Sequence, residues 1–539
     1  HGGKIFIIPD EPGEDVVIAT HHANRALNDD KVKVFIFPKR KNKRIEGEIV
    51  EIIERSKTKF VGILRLSGKF GYVLPENDPS GIEIFIPKEN LNNASDGYKV
   101  VVEILEWPEK SRNPVGNITF VLGSPGENNV EMNAILAEFG FPLIFPPEVI
   151  KESDRISDII TPAEISKRRD FRKATTLTID PEDAKDFDDA LSLQSLPNGN
   201  FEIGVHIADV SYYLQPGCST DEEAYIRGTS VYLVDRVIPM LPERLSNGLC
   251  SLSPNTDKLC FSAVFEITET GKVVTEWFGK TVINSNRRFN YNEAQQVIES
   301  GEGELVGELL QLHKIACCLR DERLKNGSFA FETQEVKFTL DENGKPLGVK
   351  IREYKDSNKL IEDFMLLANR KVAEFIGKKM KQDRVKTFVY RVHDEPNPEK
   401  LSNFSDFVSK LGYTLKAKNQ KTTNESFNKL LKDITGKGEQ NIIENLAIRT
   451  MAKAYYSTDN IGHYGLAFDY YTHFTSPIRR YPDLMVHRLL QNYLDKKPGA
   501  DKRFYEERCK HSSEMEKKAA EAERASVKYK QVEFMADKV

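Results

Sequence analysis

The sequence predicts a multidomain protein in which two small all-β modules in tandem precede a large α+β domain. Three observations carry this expectation. There is an internal repeat within the first 125 residues, strand-like alternation inside each copy, and from about residue 176 a long interleaving of strands with helical segments. At 539 residues, with 39% hydrophobic and 29% charged, the chain is long enough for about three or four globular domains. No apolar run approaches bilayer length and His1-Gly2-Gly3 is not a signal peptide, so no membrane association is expected. The six cysteines show no CxxC or Cys/His ligand spacing and read as reduced thiols of a cytoplasmic protein. A net charge of -5 argues only against indiscriminate polyanion binding, because positive charge can be concentrated in a channel.

In the repeat, Gly2-Gly3-Lys4-Ile5-Phe6-Ile7-Ile8-Pro9-Asp10 reads against Gly68-Lys69-Phe70-Gly71-Tyr72-Val73-Leu74-Pro75-Glu76. Each copy runs on into an alternating strand, at 31–35 in one and 99–103 in the other. The first module is expected over residues 1–46, cut at its start, and the second over 47–125, with alternation beginning near Gly47. About five short strands in the second copy match a small OB barrel. Its Phe70, Tyr72 and Phe85 resemble the base-stacking aromatics of cold-shock domains, so they are candidate RNA-binding residues. The competing reading makes all three the core of an inert barrel. Between the copies, the basic run at 39–44 reads as a solvated loop or a phosphate-tracking one.

Residues 126–175 are expected to be connective. The large domain, 176–539, shows strands near 201–207, 259–267 and 273–282, and helices near 291–300, 305–326, 359–379, 442–456 and 484–494. Its end, 502–537, has uninterrupted helical character.

At the start of that domain, Asp180, Asp186, Asp188 and Asp189 fall within ten residues between apolar flanks. Carboxylates crowded beside buried segments repel one another unless cations neutralise them, and a hard divalent ion with oxygen ligands is the natural partner. A solvated acidic loop is the bland alternative. An EF-hand fails on spacing, since Lys185 stands where the sharp-turn glycine is required.

The company this stretch keeps identifies it. His206-Ile207-Ala208-Asp209-Val210-Ser211-Tyr212-Tyr213, Thr229-Ser230-Val231-Tyr232, Ile238-Pro239-Met240-Leu241-Pro242, Leu249-Cys250-Ser251-Leu252 and Thr475-Ser476-Pro477-Ile478-Arg479-Arg480-Tyr481-Pro482-Asp483 follow in one order. Together with the Asp stretch they resemble the RNB catalytic domain of the RNase II and RNase R exoribonucleases, which carry tandem cold-shock modules ahead of it. The bacterial RNase R branch is the nearer likeness.

The resemblance implies processive 3′→5′ hydrolysis of single-stranded RNA to nucleoside 5′-monophosphates with Mg²⁺, Mn²⁺ being the alternative ion, and with no organic cofactor. It assigns Asp180, Asp186, Asp189 and Asp188 to metal binding. Asp188 is the position whose loss stops chemistry while leaving RNA bound. Arg479 takes the role of a catalytic arginine that donates to the non-bridging phosphate oxygens, with Arg480 the neighbour easily confused with it. Tyr232 matches an aromatic that stacks on the 3′-terminal base, and Phe331, with Phe329 as the other candidate, matches a second clamp residue. Glu362, and Glu523 in preference to Glu521, match carboxylates that contact the terminal ribose. His206 and His487 read as core histidines.

Two departures stand out. The chain stops at Val539 where the family's third OB module would begin, and a complete first module is missing, so the chain reads as trimmed at both ends. The expected molecule is a monomeric RNA-degrading enzyme whose OB-like modules funnel RNA into a narrow channel. A catalytically silent RNA-binding regulator or RNA chaperone on the same scaffold is the alternative.

Overall fold

The computed structural model describes residues 4–11, 13–38, 44–76, 81–108, 111–329, 335–378, 386–416, 420–536 and 538. The chain divides into two compact units, His1–Leu143 and Ile144–Val539.

In the first unit a four-stranded sheet runs in the order Lys4–Ile7, Val16–Ala19, Glu46–Glu54, Lys31–Ile36. Val16, Ile18 and Ile49 are its small core, with Ile5, Val32 and Val34 against them. The sequence expectation has Glu46–Glu54 open the second module. It instead pairs antiparallel with Lys31–Ile36 and parallel with Val16–Ala19, so the first module extends to about residue 54. Alternation marks a strand but not its partner, and here Ile49 faces the first module's apolar side. Of the basic run, residues 39–43 lie outside the described residues.

The second module is a closed five-stranded barrel of Lys59–Ser67, Phe70–Pro75, Ile84–Ile86, Val115–Gly123 and Lys99–Glu106. Leu64, Val73, Ile84, Ile86, Val100 and Val102 fill it. A Cβ at Gly62 would stand 2.2 Å from the carbonyl oxygen of Leu74 on the adjacent strand, so closure there requires glycine. Helix Asn128–Glu138 lays Val130 and Ala134 on Val61, Val101 and Leu122, and Lys99 Nζ meets Glu131 and Glu76 at 2.8 Å each. The segment expected to be connective is therefore divided, its first helix completing this module.

The second unit is built on a seven-stranded mixed sheet ordered Arg169–Asp170, Val273–Asn284, Asp257–Ile267, Phe201–Ala208, Asp189–Ser195, Thr176–Asp180, Arg287–Asn290. It begins ahead of the expected residue 176, because the short strand Arg169–Asp170 already pairs with Thr281 and Val282. Apolar residues of the sheet and of helices Val306–Lys325, Asp356–Lys378 and Tyr481–Leu494 share one core. Asn290 and Glu293 cap helix Tyr291–Ser300 reciprocally, and the long helix Lys502–Ala536 is present as expected. The expected helix 442–456 stops at Thr450, because Tyr455–Ser457 pairs as a strand with Tyr390–Val392.

One charged cluster is sealed inside this unit. Asp209 is wholly buried and takes Arg168 Nη1 at 2.9 Å, Lys280 Nζ at 2.5 Å and Ser211 Oγ at 2.7 Å. Burial alone would raise its carboxyl, but Lys280 and Arg168 beside it hold it below the usual carboxylate range. Asp209→Ala would leave two buried cations facing one another, and we expect a loss of about 3–5 kcal/mol in denaturant unfolding. The folded-state pKa is depressed, so this contribution is complete above the unfolded value near ~4 and fades as pH falls below it. Unfolding curves of wild type and variant should therefore converge in acid.

Candidate active site

Asp180 ends one strand and Asp189 begins its antiparallel neighbour, with Leu177 opposite Leu191, so the turn between them gathers all four aspartates at one edge of the sheet. Asp180 and Asp188 are buried, while Asp186 and Asp189 keep partial exposure. All four carboxyls are pushed up. Burial is the main cause in each, and mutual repulsion adds to it for Asp180, Asp188 and Asp189. Arg479 offsets this for Asp186, Asp188 and Asp189, and Arg288 offsets it for Asp180.

Asp188 is locked in place. Its Oδ1 accepts the Ile478 N–H at 2.9 Å and its Oδ2 lies 3.5 Å from Arg479 Nε, while its carbonyl accepts the Ala208 N–H at 2.8 Å. The arginine loop is braced from behind: Asp483 Oδ1 accepts Ser476 N–H at 2.8 Å and Arg480 Nη2 at 2.9 Å, and Asn369 Oδ1 accepts Phe474 N–H at 2.8 Å. This separates the two arginines. Arg480, its side chain 19% exposed, is committed to Asp483, whereas Arg479 is 42% exposed beside Asp188.

The Asp turn has its own clamps. Ser251 Oγ donates to the Lys185 carbonyl at 2.7 Å and accepts the Phe187 N–H at 3.0 Å. Arg288 Nη2 donates to the carbonyls of Pro181 at 2.5 Å and Glu182 at 2.9 Å. Sequence reasoning singles out neither Arg288 nor the Ile478 N–H. The pair Arg287-Arg288 is a legible signal for the first, but a backbone donor leaves none.

Tyr232 sits in a two-strand ribbon with Val237–Ile238, 40% exposed and within the field of Arg479, Asp186 and Asp188. That ribbon is sewn to the arginine loop by Ser230 N–H and Thr229 Oγ, which donate to the Arg479 carbonyl at 2.9 and 3.1 Å. Phe331 lies outside the described residues. Its rival Phe329 packs on Phe427 and Tyr464, in a satellite core. Glu362 accepts from the Tyr354 hydroxyl and lies 3.9 Å from Arg323. Glu523 is exposed on helix Lys502–Ala536, where Ser526 Oγ accepts the Val234 N–H beside the Tyr232 ribbon. Glu362 thus meets Tyr354 and Arg323 rather than the four aspartates.

In the first unit Phe70, Tyr72 and Phe85 form a triangle of rings 5.6–5.7 Å apart on the barrel's outer face, with Gly71, Val73, Ile84 and Ile86 turned inward. They are a surface platform rather than core. His206 is buried between Ser192 and Ser262, and burial drives its pKa to about 3, so it stays neutral. His487 bonds the Phe474 carbonyl at 2.7 Å, away from the aspartates.

The donor set suits a hard divalent cation. Four carboxylates converge electrostatically, and Asp180 Oδ2 is buried without a hydrogen-bond partner. Among the described residues no three acidic, cysteine or histidine side chains stand close enough to form a ready-made cage, so donor chemistry carries the fit.

The family models for the RNB domain, the cold-shock domain and the ribonuclease B OB domain match residues 168–496, 72–146 and 5–52. Ribonuclease R of Thermotoga maritima is 38% identical over 99% of this chain and 76% of its own length. The chain belongs to the RNase II/RNase R family. Ribonuclease R of Aquifex aeolicus is 35% identical over 98% of the chain and 75% of that protein. The fold agrees: RNase R of Mycoplasma genitalium, solved with ribose-methylated single-stranded RNA, superposes with a TM-score of 0.91 at 23% identity, covering 100% of this chain and 86% of that one. A yeast pseudonuclease also matches, at TM-score 0.72 and 20% identity over 97% of this chain and 71% of that one. The scaffold is therefore shared by active and inactive proteins, and the side chains decide activity. Among the described residues no helix is long and apolar enough to cross a membrane.

The raised carboxyls of this RNase R-type site have a thermodynamic consequence. In chelator the folded state holds protons that the unfolded chain has released, so stability should fall as pH rises from about 4 towards neutrality. A divalent cation should then raise the melting temperature more near pH ~8 than near pH ~5, and Asp180→Asn with Asp189→Asn should remove most of that difference. Differential scanning calorimetry reads both effects.

Proposed function

We propose that the chain is a processive 3′→5′ exoribonuclease that hydrolyses single-stranded RNA to nucleoside 5′-monophosphates at the turn between Asp180 and Asp189. The observation that carries this reading is Asp188 held by the Ile478 N–H with the Arg479 guanidinium beside it, where an acidic cluster meets a half-exposed arginine whose one short hydrogen bond among the described residues goes to the neutral Ser476 hydroxyl, at 3.0 Å. Asp180, Asp186 and Asp189, with Asp188, would hold Mg²⁺, or Mn²⁺ in its place. When bound, the ion supplies Lewis acidity that polarises the phosphodiester and neutralises the crowded carboxylates.

The protein's own groups do the rest. Arg479 presents a planar fork that can donate to non-bridging oxygens as negative charge builds on phosphorus, a geometry Lys cannot reproduce. Arg480 and Asp483 hold that loop rigid, so the donor is in place before charge develops. Tyr232 offers a face for the 3′-terminal base, and stacking is sequence-tolerant, as a degrading enzyme requires. Glu362, with Glu523, accepts from the terminal ribose, and a contact with the 2′-hydroxyl would select RNA over DNA. Phe331 is assigned to the clamp on sequence alone. Phe70, Tyr72 and Phe85 supply an upstream platform for single strands, with Arg65 paired across from Tyr72. The enzyme acts as a cytoplasmic monomer with no organic cofactor. A silent RNA-binding regulator is the weaker reading, because Asp180, Asp186, Asp188, Asp189 and Arg479 are all in place.

The test is a time course on 5′-labelled single-stranded RNA with Mg²⁺, beside a matched DNA oligonucleotide. Wild type should shorten RNA stepwise and spare DNA, and Asp188→Asn should bind RNA without cutting it. Arg479→Lys should lower the single-turnover rate by about 10²–10³-fold with RNA affinity little changed. Wild-type protein that binds RNA without shortening it would establish the regulator instead.

A further inference from the structure

A second concavity in the Ile144–Val539 unit is not part of the acidic site. It encloses about 1000 Å³, and none of Asp180, Asp186, Asp188, Asp189, Arg479 or Tyr232 lines it. Helix Tyr481–Leu494 separates the two sites by its two faces. Asp483 and His487 bond residues of the catalytic loop and its approach, Ser476 and Phe474. Tyr481, Met485, Arg488 and Asn492, spaced for another face, line the cavity.

The cavity pairs aromatic rings with guanidinium groups. Phe504 and Tyr212 line it with 44% and 38% exposure, and Arg168 lies 5.2 Å over the Tyr212 ring. The Arg508 guanidinium lies 3.6 Å over the Phe504 ring and 4.7 Å over Tyr225, a stack that fixes its plane and leaves its edge open. Part of that edge hydrogen-bonds the Tyr481 hydroxyl, and Arg508 forms no salt bridge among the described residues. Arg488 is half-committed. Its Nη1 meets Asp221 Oδ1 at 2.8 Å and its Nη2 donates to the Leu214 carbonyl at 3.0 Å, but its Nε is buried with no acceptor. The other cations of the wall are matched by carboxylates: Arg168 and Lys280 by Asp209, Lys167 by Glu164 at 3.8 Å, and Lys497 by Asp495 at 3.5 Å.

A ligand that satisfies this wall needs a π face for the rings and an anionic group with several acceptor oxygens for the part of the Arg508 edge that Tyr481 leaves open. An aliphatic carboxylate lacks the first, a bare nucleobase lacks the second, and an aromatic carboxylate offers two acceptor oxygens where a phosphate offers three. We propose that this cavity is a second ligand site that takes a mononucleotide, with its base against the aromatic wall and its phosphate on Arg508. The volume accommodates such a ligand with room for water. Mononucleotides are also the product class of the reaction proposed above, but the cavity's chemistry stands without that reaction.

The test uses the full chain carrying Asp188→Asn, with UMP and AMP titrated calorimetrically in the presence and absence of a saturating single-stranded RNA. One saturable nucleotide site per chain should persist when RNA occupies the acidic site. Arg508→Gln and, separately, Phe504→Leu should weaken it by about tenfold or more with RNA affinity unchanged. Phe504 is exposed, so its variant keeps the test valid if Arg508→Gln fails to fold. Three results would each overturn the assignment: nucleotide binding abolished by RNA, both variants binding like the parent, or inorganic phosphate binding as tightly as UMP. Failure of the Asp188→Asn protein to bind RNA would instead count against the exoribonuclease reading, and the cavity variants would still report on the nucleotide.

Discussion

Four carboxylates on one turn repel one another, and most of what surrounds that turn offsets or exploits the repulsion. Burial makes ionisation costly, so Asp180, Asp188 and Asp189 cannot all carry full charge unless positive groups approach. The protein supplies only part of that charge itself. Arg288 is bound to the carbonyls of Pro181 and Glu182, and Arg479 comes from a loop nearly three hundred residues away in the chain. The remaining deficit would give the proposed site its affinity for a divalent ion. A turn already neutralised by its own arginines would be more stable and would hold a metal less well.

The same constraint explains why the turn's supports are polar and buried. Ser251 spans the Lys185 carbonyl and the Phe187 N–H, fixing backbone that no strand ladder reaches. Asp209, one residue beyond the strand that receives Asp188's carbonyl, anchors that strand's end by Arg168 and Lys280. Ser251 and Arg288 act on the turn's backbone rather than on a carboxylate. The acidic oxygens are thereby left available while their positions stay fixed, which is what pre-organisation of a phosphoryl site demands.

Much of this was legible in the sequence. The aspartates were visible because ordered motifs further along the chain, from His206 to Asp483, set them apart from an ordinary solvated acidic loop, and the β modules because an internal repeat marks a repeated fold. What escaped was information about partners. Glu46–Glu54 alternates as well as any strand of the barrel, yet alternation carries no address, and only Ile49's packing assigns it to the first module. The helix Asn128–Glu138 looked connective because its apolar face matches a barrel surface that exists only after folding. The Ile478 N–H, the most direct tether of Asp188, is invisible in principle, since every residue but proline carries the same donor.

The two adjacent arginines show how structure separates what sequence leaves equivalent. Arg479 and Arg480 have the same side chain, nearly the same neighbours and the same acid three or four residues on. Folding assigns them opposite tasks because the backbone at Arg480 bridges to Thr229 and turns its side chain inward to Asp483. That buried pair has no charge left for a substrate. Arg479, turned the other way, donates to the Ser476 hydroxyl at 3.0 Å and stands 3.5 Å from Asp188, close enough to feel the acidic cluster and free of a short carboxylate contact that would compete with a phosphate. A scaffold shared with a pseudonuclease therefore leaves the chemistry open. What decides it is whether this one arginine stays clear of a short carboxylate contact beside an intact set of aspartates, and here it does.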